Sequence, residues 1–203
     1  MQGFMEAKDR ILDFWFDKLS GADGIPPERF RLWFGGREET DRLIRDRFEA
    51  DLQRAMRGEY DHWSQTPRGA LALIILLDQF SRHIHRNTSQ AYACDDKAVE
   101  LSRAGLAQGQ DRPLSIIERA FFYLPLEHAE DSEIQKLSVQ LFEELLASSP
   151  EGMKKVCEGF LDYAVRHREI IERFGRFPHR NAALGRHSTV EEEAFLQEPG
   201  SSF

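Results

Sequence analysis

The stretch Arg68-Gly-Ala-Leu-Ala-Leu-Ile-Ile-Leu-Leu-Asp-Gln-Phe-Ser-Arg-His-Ile-His-Arg-Asn87 decides the fold. From Ala70 to Leu77 it is apolar on every side. A helix with no polar face has to lie inside a core made of other helices. From Asp78 to Arg86 the same helix turns polar and basic. That change places Asp78, Gln79, Arg82 and His83 within the core or at its rim. Thr66-Pro67 before it reads as an N-cap followed by a first-turn proline.

The flanking sequence is helical throughout. The first helix spans about Glu6 to Leu19, with Phe14, Trp15, Phe16 and Leu19 as an aromatic face, and Gly21 to Gly24 break it. Pro26-Pro27 open a short helix through Trp33, closed by Gly35-Gly36. A long helix from Glu38 to Met56 repeats Leu43, Ile44, Phe48, Leu52, Ala55 and Met56 at intervals that predict one apolar face. Further helices are expected over 90–107, capped by Thr88 or Ser89, and over 114–129, with a capping box at Ser115-Ile-Ile-Glu118. Pro125 predicts a kink or stop there. Helices over 131–147 and 151–174 follow, then an irregular loop to Arg186. A short helix capped by Ser188-Thr-Val-Glu191 runs to Leu196.

No strand alternation is visible. The sequence predicts an all-α protein of about eight helices in antiparallel pairs, 38–56 with 67–81, 90–107 with 114–129, and 131–147 with 151–174. Such pairs make a short α-solenoid or an irregular bundle. All 203 residues read as one helical domain, ordered over about 5–197, with a frayed tail at 198–203.

Composition narrows the function classes. The two cysteines, Cys94 and Cys157, fit neither a disulfide scaffold nor a zinc motif. The N-terminal residues lack a signal sequence, and no apolar run approaches the roughly 20 residues of a membrane span. The expectation is a soluble, cytoplasmic chain. A net charge of −8 argues against nucleic acid and membrane surfaces as partners. The segment from Arg166 to His187 is the exception: six arginines face two glutamates, a local balance of +4.

Polar residues recur where helical spacing predicts burial. Asp78 and Arg82 continue the stripe of Leu71 and Ile75. Gln79 and His83 continue that of Ala72 and Leu76. Glu127 and His128 follow Tyr123 and Leu124, and His167 shares a face with Phe160, Ala164, Ile171 and Phe174. A buried charge needs a partner, because leaving it alone costs several kcal/mol. Asp78 and Glu127 are candidate counter-charges for Arg82, Arg173 or Arg176.

Two readings follow. The cluster is a structural network that pins helices together, or it is a pocket lined by Arg82, His83, His128, His167, Arg173 and Arg176, with Asp78 and Glu127 orienting them. A pocket rich in arginine suits a small anionic ligand or a peptide carboxylate. An enzymatic version uses His128 or His167 as a general base beside Glu127 in a hydrolase. A scaffold acting through outer helix faces is the third possibility.

No cofactor motif occurs, and no metal set is assigned. Asp131 has helix-face spacing from Glu127 and His128, but the Glu-x-x-His pattern of di-iron bundles is absent. Phe174-Gly-Arg-Phe-Pro-His-Arg-Asn181 could stack on bases, yet it reads more simply as a loop clamped by Phe177.

Three stretches carry a family resemblance: Leu77-Asp-Gln-Phe-Ser-Arg-His-Ile-His-Arg86, Phe121-Phe-Tyr-Leu-Pro-Leu-Glu-His-Ala-Glu-Asp131, and the run from His167 to Asn181 continuing into Leu184-Gly-Arg. With Ile11-Leu-Asp-Phe-Trp-Phe16 and Trp33-Phe34, they resemble the uncharacterised bacterial domain-of-unknown-function family 924 over about 11–197. The resemblance implies a tetratricopeptide-like all-α fold and no established reaction. The family's central motif reads Asp-Gln-Phe-Pro-Arg-Asn, so Ser81 and His83 depart from it. Asp78, Gln79, Arg82, Glu127, His128, His167, Arg173, Pro178, His179, Arg180 and Asn181 occupy matching positions.

Overall fold

The computed structural model describes residues 6–17, 19 and 25–201. The break expected at 21–24 and the last two residues of the tail lie outside them. Every regular element among the described residues is helical. Helix α1 covers Ala7–Phe16 and ends where Asp17 takes a positive φ of 53°. Helix α2 covers Pro27–Phe34 with proline in its first turn, and α3 covers Glu38–Met56. The buried face of α3 is narrower than the sequence suggests: Ile44, Phe48, Leu52 and Ala55 are buried, while Leu43 and Met56 are 41% and 39% exposed. Asp41 and Asp51 take part of that face instead.

The quoted stretch forms the axis. Thr66 caps α4 (Pro67–Ile74) by accepting from the Gly69 N–H at 3.3 Å. Every residue from Gly69 to Ser81 is buried. The helix does not stay α. Ile75–Phe80 is a π segment, in which the Ser81 N–H reaches back five residues to the Leu76 carbonyl, before α5 (Ser81–Ile84) resumes. Carbonyls left over by the wider turn take side-chain donors: Ser81 Oγ donates to Leu77 O at 2.6 Å and Arg82 Nη1 to Asp78 O at 2.7 Å. Such π segments are uncommon and concentrate at functional sites.

The remaining elements are α6 (Asp95–Ala107), α7 (Ile116–Glu127), α8 (Ser132–Ser148), α9 (Lys154–Phe174) and α10 (Val190–Phe195). The predicted Ser115–Glu118 capping box is present. Three boundaries differ from expectation. Helix α6 starts at Asp95, because Ser89–Tyr92 is a separate 3-10 turn. Helix α7 runs two residues past Pro125 and stops at Glu127. The last capping box is Thr189 with Glu192, one residue later than predicted, which leaves Glu191 outside it.

Helices α8 and α9 form the closest pair and α6 packs on α7, as the sequence predicts, while α3, expected against 67–81, packs mainly on the π segment and α5. Helix α4 also meets α1, α6 and α7. Contacts radiating from one axial helix make an irregular bundle. Phe121 on α7 is its aromatic hub, with ring centroids 5.7 Å from Trp15, 4.8 Å from Trp33 and 6.3 Å from Phe160. No described helix is long and apolar enough to cross a membrane.

Gly69 lets the axis approach the Asp61–Gln65 turn, since a Cβ there would sit 2.2 Å from the Trp63 carbonyl oxygen. Gly159, on the exposed face of α9, has nothing within 4 Å of its Cβ position. Gly69→Ala should therefore cost about 1–3 kcal/mol by overpacking, whereas Gly159→Ala should gain about 0.5–1 kcal/mol of helix stability. Thermal unfolding of the two variants is expected to shift in opposite directions.

Candidate functional site

Asp78 is brought into the core by its place on the π segment and is 1% exposed. Its carboxylate meets three donors. His128 Nδ1 lies 2.7 Å from Oδ1, Gln79 Nε2 donates to Oδ2 at 2.6 Å, and Arg82 Nη1 is 3.1 Å from Oδ1. Burial pushes the Asp78 pKa up, but Arg82 and His128 outweigh it and hold the group below the usual carboxylate range. Arg82 turns its other edge to Asp95 at the start of α6, in a bidentate contact of 3.0 Å and 3.0 Å. Arg180 reaches the same Asp95 at 3.2 Å and donates to the His128 carbonyl at 3.0 Å. It is sandwiched by Tyr92 and Phe177, with ring centroids 4.8 Å and 4.4 Å away. Burial, with Arg82 nearby, brings the Arg180 pKa down to about 10.

The end of α7 supplies the second half of the cluster. His128 is the C-cap residue of that helix, and its side chain is 15% exposed. Burial lowers its pKa and Asp78 only partly offsets this. The neutral ring donates from Nδ1 to Asp78, which leaves its lone pair on Nε2. Glu127 is 3% exposed. Its Oε1 lies 3.2 Å from His167 Nδ1, and its Oε2 has no hydrogen-bond partner among the described residues. Burial and the Asp78 carboxylate push the Glu127 pKa well up.

His167, on the buried face of α9, places Nδ1 2.8 Å from the Tyr163 carbonyl, and its ring centroid is 6.0 Å from that of His128. Burial and His128 hold its pKa well down. Its Nδ1 proton goes to the carbonyl and the Glu127 edge, and its lone pair too is on Nε2. His179 lies against Phe177, 5.7 Å between rings, and burial with Arg180 drives its pKa down to about 3. One ligand atom from each of Glu127, His128 and His167 falls within 4.8 Å of the others.

The predicted site residues thus separate into three groups. Asp78, Gln79, Arg82, Glu127, His128, His167, His179 and Arg180 belong to the axial cluster. His83 points to α3, where its Nδ1 is 2.7 Å from Asp41 Oδ1; Arg86 holds the same carboxylate through Nη2 at 2.7 Å. Arg173, Arg176 and Asn181 serve the C-terminal segment instead. Arg173 pairs with Glu191 at 3.0 Å, Arg176 with Glu192 at 2.6 Å, and Asn181 donates to Glu192 at 3.2 Å. Arg173 and Arg176 are therefore not the counter-charges of Asp78 or Glu127.

Asp95 and Tyr92 were not legible as site residues, because the sequence places both inside one helix from 90. Asp131, considered beside Glu127, caps α8 by accepting from the Glu133 and Ile134 N–H groups at 2.9 Å.

The fold and this centre define a class: an all-α bundle with a buried carboxylate–histidine cluster at its axis. The chain belongs to the family described as bacterial protein of unknown function (DUF924), whose model matches residues 11–200. A solved structure, that of the protein of unknown function ATU0120 from Agrobacterium tumefaciens, is 35% identical. It aligns over 94% of this chain and 96% of its own with a TM-score of 0.78. No curated protein matches the chain.

The Asp41 group gives a pH prediction. Burial raises its pKa, but hydrogen bonds from Arg86 and then His83 outweigh that and hold it below the usual range. A depressed folded-state pKa contributes stability that is complete above the unfolded value of about 4 and lost as pH falls through the folded one. The stability gap between wild type and Asp41→Asn, read by urea unfolding, should be large at neutral pH and shrink steadily in acid.

Proposed function

We propose that the chain is an enzyme of hydrolytic type, with Glu127, His128 and His167 as its reaction centre. Asp78 is the residue that positions His128. The observation that carries this reading is the 2.7 Å contact between Asp78 Oδ1 and His128 Nδ1. A buried carboxylate fixes the tautomer and the direction of a ring that is still 15% exposed. This is the orienting logic of catalytic carboxylate–histidine pairs. The lone pair on Nε2 is the reactive element: it can take a proton from an attacking water, or ligate a Lewis acid that holds the water. Glu127 adds a carboxyl oxygen that the fold itself leaves unengaged.

The anionic-ligand reading has less behind it. Arg82 is held by Asp78 and Asp95, Arg173 by Glu191 and Arg176 by Glu192, so each is already neutralised within the chain. An arginine so engaged gives an incoming carboxylate or phosphate less than a free one does.

The test is a panel of ester, amide and phosphoester substrates. Wild type should turn over at least one above the buffer rate. His128→Ala should lower kcat/KM for it by about 10²-fold or more, with its helical circular dichroism intact. Turnover unchanged in that variant, or a panel on which wild type is inert, would remove the reading.

A further inference from the structure

We propose that Glu127, His128 and His167 bind a divalent first-row transition cation of the zinc class through one carboxylate oxygen and two imidazole nitrogens. The inference rests on reading this cluster as a water-activating centre, and it names the agent: a bound cation, with His128 as its ligand.

The donor geometry is the first argument. A carboxylate oxygen of Glu127 and one ring nitrogen from each histidine already lie within 4.8 Å of one another. Tetrahedral zinc, with bonds of about 2.0–2.1 Å, needs donors about 3.4 Å apart. Small side-chain rotations close that difference. Three protein ligands leave a coordination position for water, the arrangement of catalytic sites.

The hydrogen bonds behind the ligands are the second argument. Metal-bound histidines nearly always donate their other ring N–H to a carboxylate or a backbone carbonyl. His128 gives Nδ1–H to Asp78, and His167 gives Nδ1–H to the Tyr163 carbonyl. In this tautomer the lone pair of each ring is on Nε2. Asp78 is itself held by Gln79 and Arg82, so the support continues outward.

Charge is the third argument. The two arginines of the cluster, Arg82 and Arg180, are matched by the two acids they contact, Asp78 and Asp95. Glu127 is the remaining carboxyl. It contacts no lysine or arginine among the described residues, and its Oε2, in a side chain 4% exposed, has no hydrogen-bond partner there. A cation at this point meets both deficits. Two imidazoles with one carboxylate suit zinc or ferrous iron rather than calcium or magnesium, which prefer all-oxygen sites.

The experiment uses the full chain after chelator treatment. Calorimetric titration with Zn²⁺ should give one equivalent per chain, and Co²⁺ should develop the visible bands of a four- or five-coordinate nitrogen–oxygen site. Glu127→Gln, nearly isosteric, should weaken Zn²⁺ binding at least tenfold. Asp78→Asn, which loosens the hold on the His128 ring, should weaken it by about 10- to 100-fold. His62→Ala, on the exposed Asp61–Gln65 turn, should leave it unchanged. Absence of Zn²⁺ binding by wild type overturns the inference, as does an affinity the same in wild type and in folded Glu127→Gln. Hydrolysis that persists after all metal is removed also overturns it and leaves the reaction centre standing. One bound Zn²⁺ with no turnover on any substrate supports the site and removes the hydrolytic reading.

Discussion

The carboxylate of Asp78 is the constraint from which the rest of this structure follows. It sits in a stretch, 69–81, in which every residue is buried, so its charge has to be met by the protein. The three donors come from two elements. Gln79 and Arg82 are on its own helix, and His128 arrives from the end of α7. Each donor brings its own requirement. Arg82 needs Asp95, which ties down the start of α6, and Asp95 in turn holds Arg180 beyond α9. A single buried charge therefore fixes the relative placement of α4, α5, α6, α7 and the segment after α9. An apolar residue at 78 would pack without any of these demands and would specify none of these placements.

Much of this was legible in the sequence, and what escaped it did so for physical reasons. An unbroken apolar run from Ala70 to Leu77 has only one home in a helical protein, so the axis and the all-α class could be read directly. The Ser115–Glu118 box and the Thr66 cap are local hydrogen-bond patterns and need no tertiary information. The π segment left no such mark, because one extra residue in a turn changes no composition. The start of α6 was hidden because Ser89–Tyr92 has the same residue types as a helix N-terminus. The convergence of Glu127 and His128 with His167 depends on how α9 packs against α7, and linear spacing carries nothing about that. Arg173 and Arg176 were read toward the core because the basic segment 166–187 offered cations for its buried acids. Glu191 and Glu192, supplied by α10, draw them outward.

The other buried ion pairs clarify what sets the axial cluster apart. Around Asp41, every acceptor is matched: both carboxylate oxygens take Arg86, and one also meets His83. Around Glu192, Arg176, Asn181 and the Thr189 N–H satisfy both oxygens, and the group is held down to about 2. These are closed structural networks. Glu127 is different in kind, since the fold buries it and then leaves one of its oxygens unengaged. Natural proteins satisfy their buried polar atoms with few exceptions, and the exceptions ask for a chemical explanation.

The π segment has a further consequence, for how the family can vary in length. An α-helix advances about 100° with each residue. A residue lost between 75 and 80 is absorbed by closing the turn to α geometry, but one lost between 67 and 74, where no turn holds a spare residue, would swing everything after it around the axis by that angle. Arg82 would face away from Asp95 and His83 away from Asp41, although no residue in contact with them had changed. Loops such as 182–188 can lengthen or shorten without altering the angular phase of any buried side chain. Insertions and deletions accumulated by descendants of this chain should therefore fall in its connections or in the π segment itself, while the α-helical part of the axis keeps its residue count even where its residues are replaced.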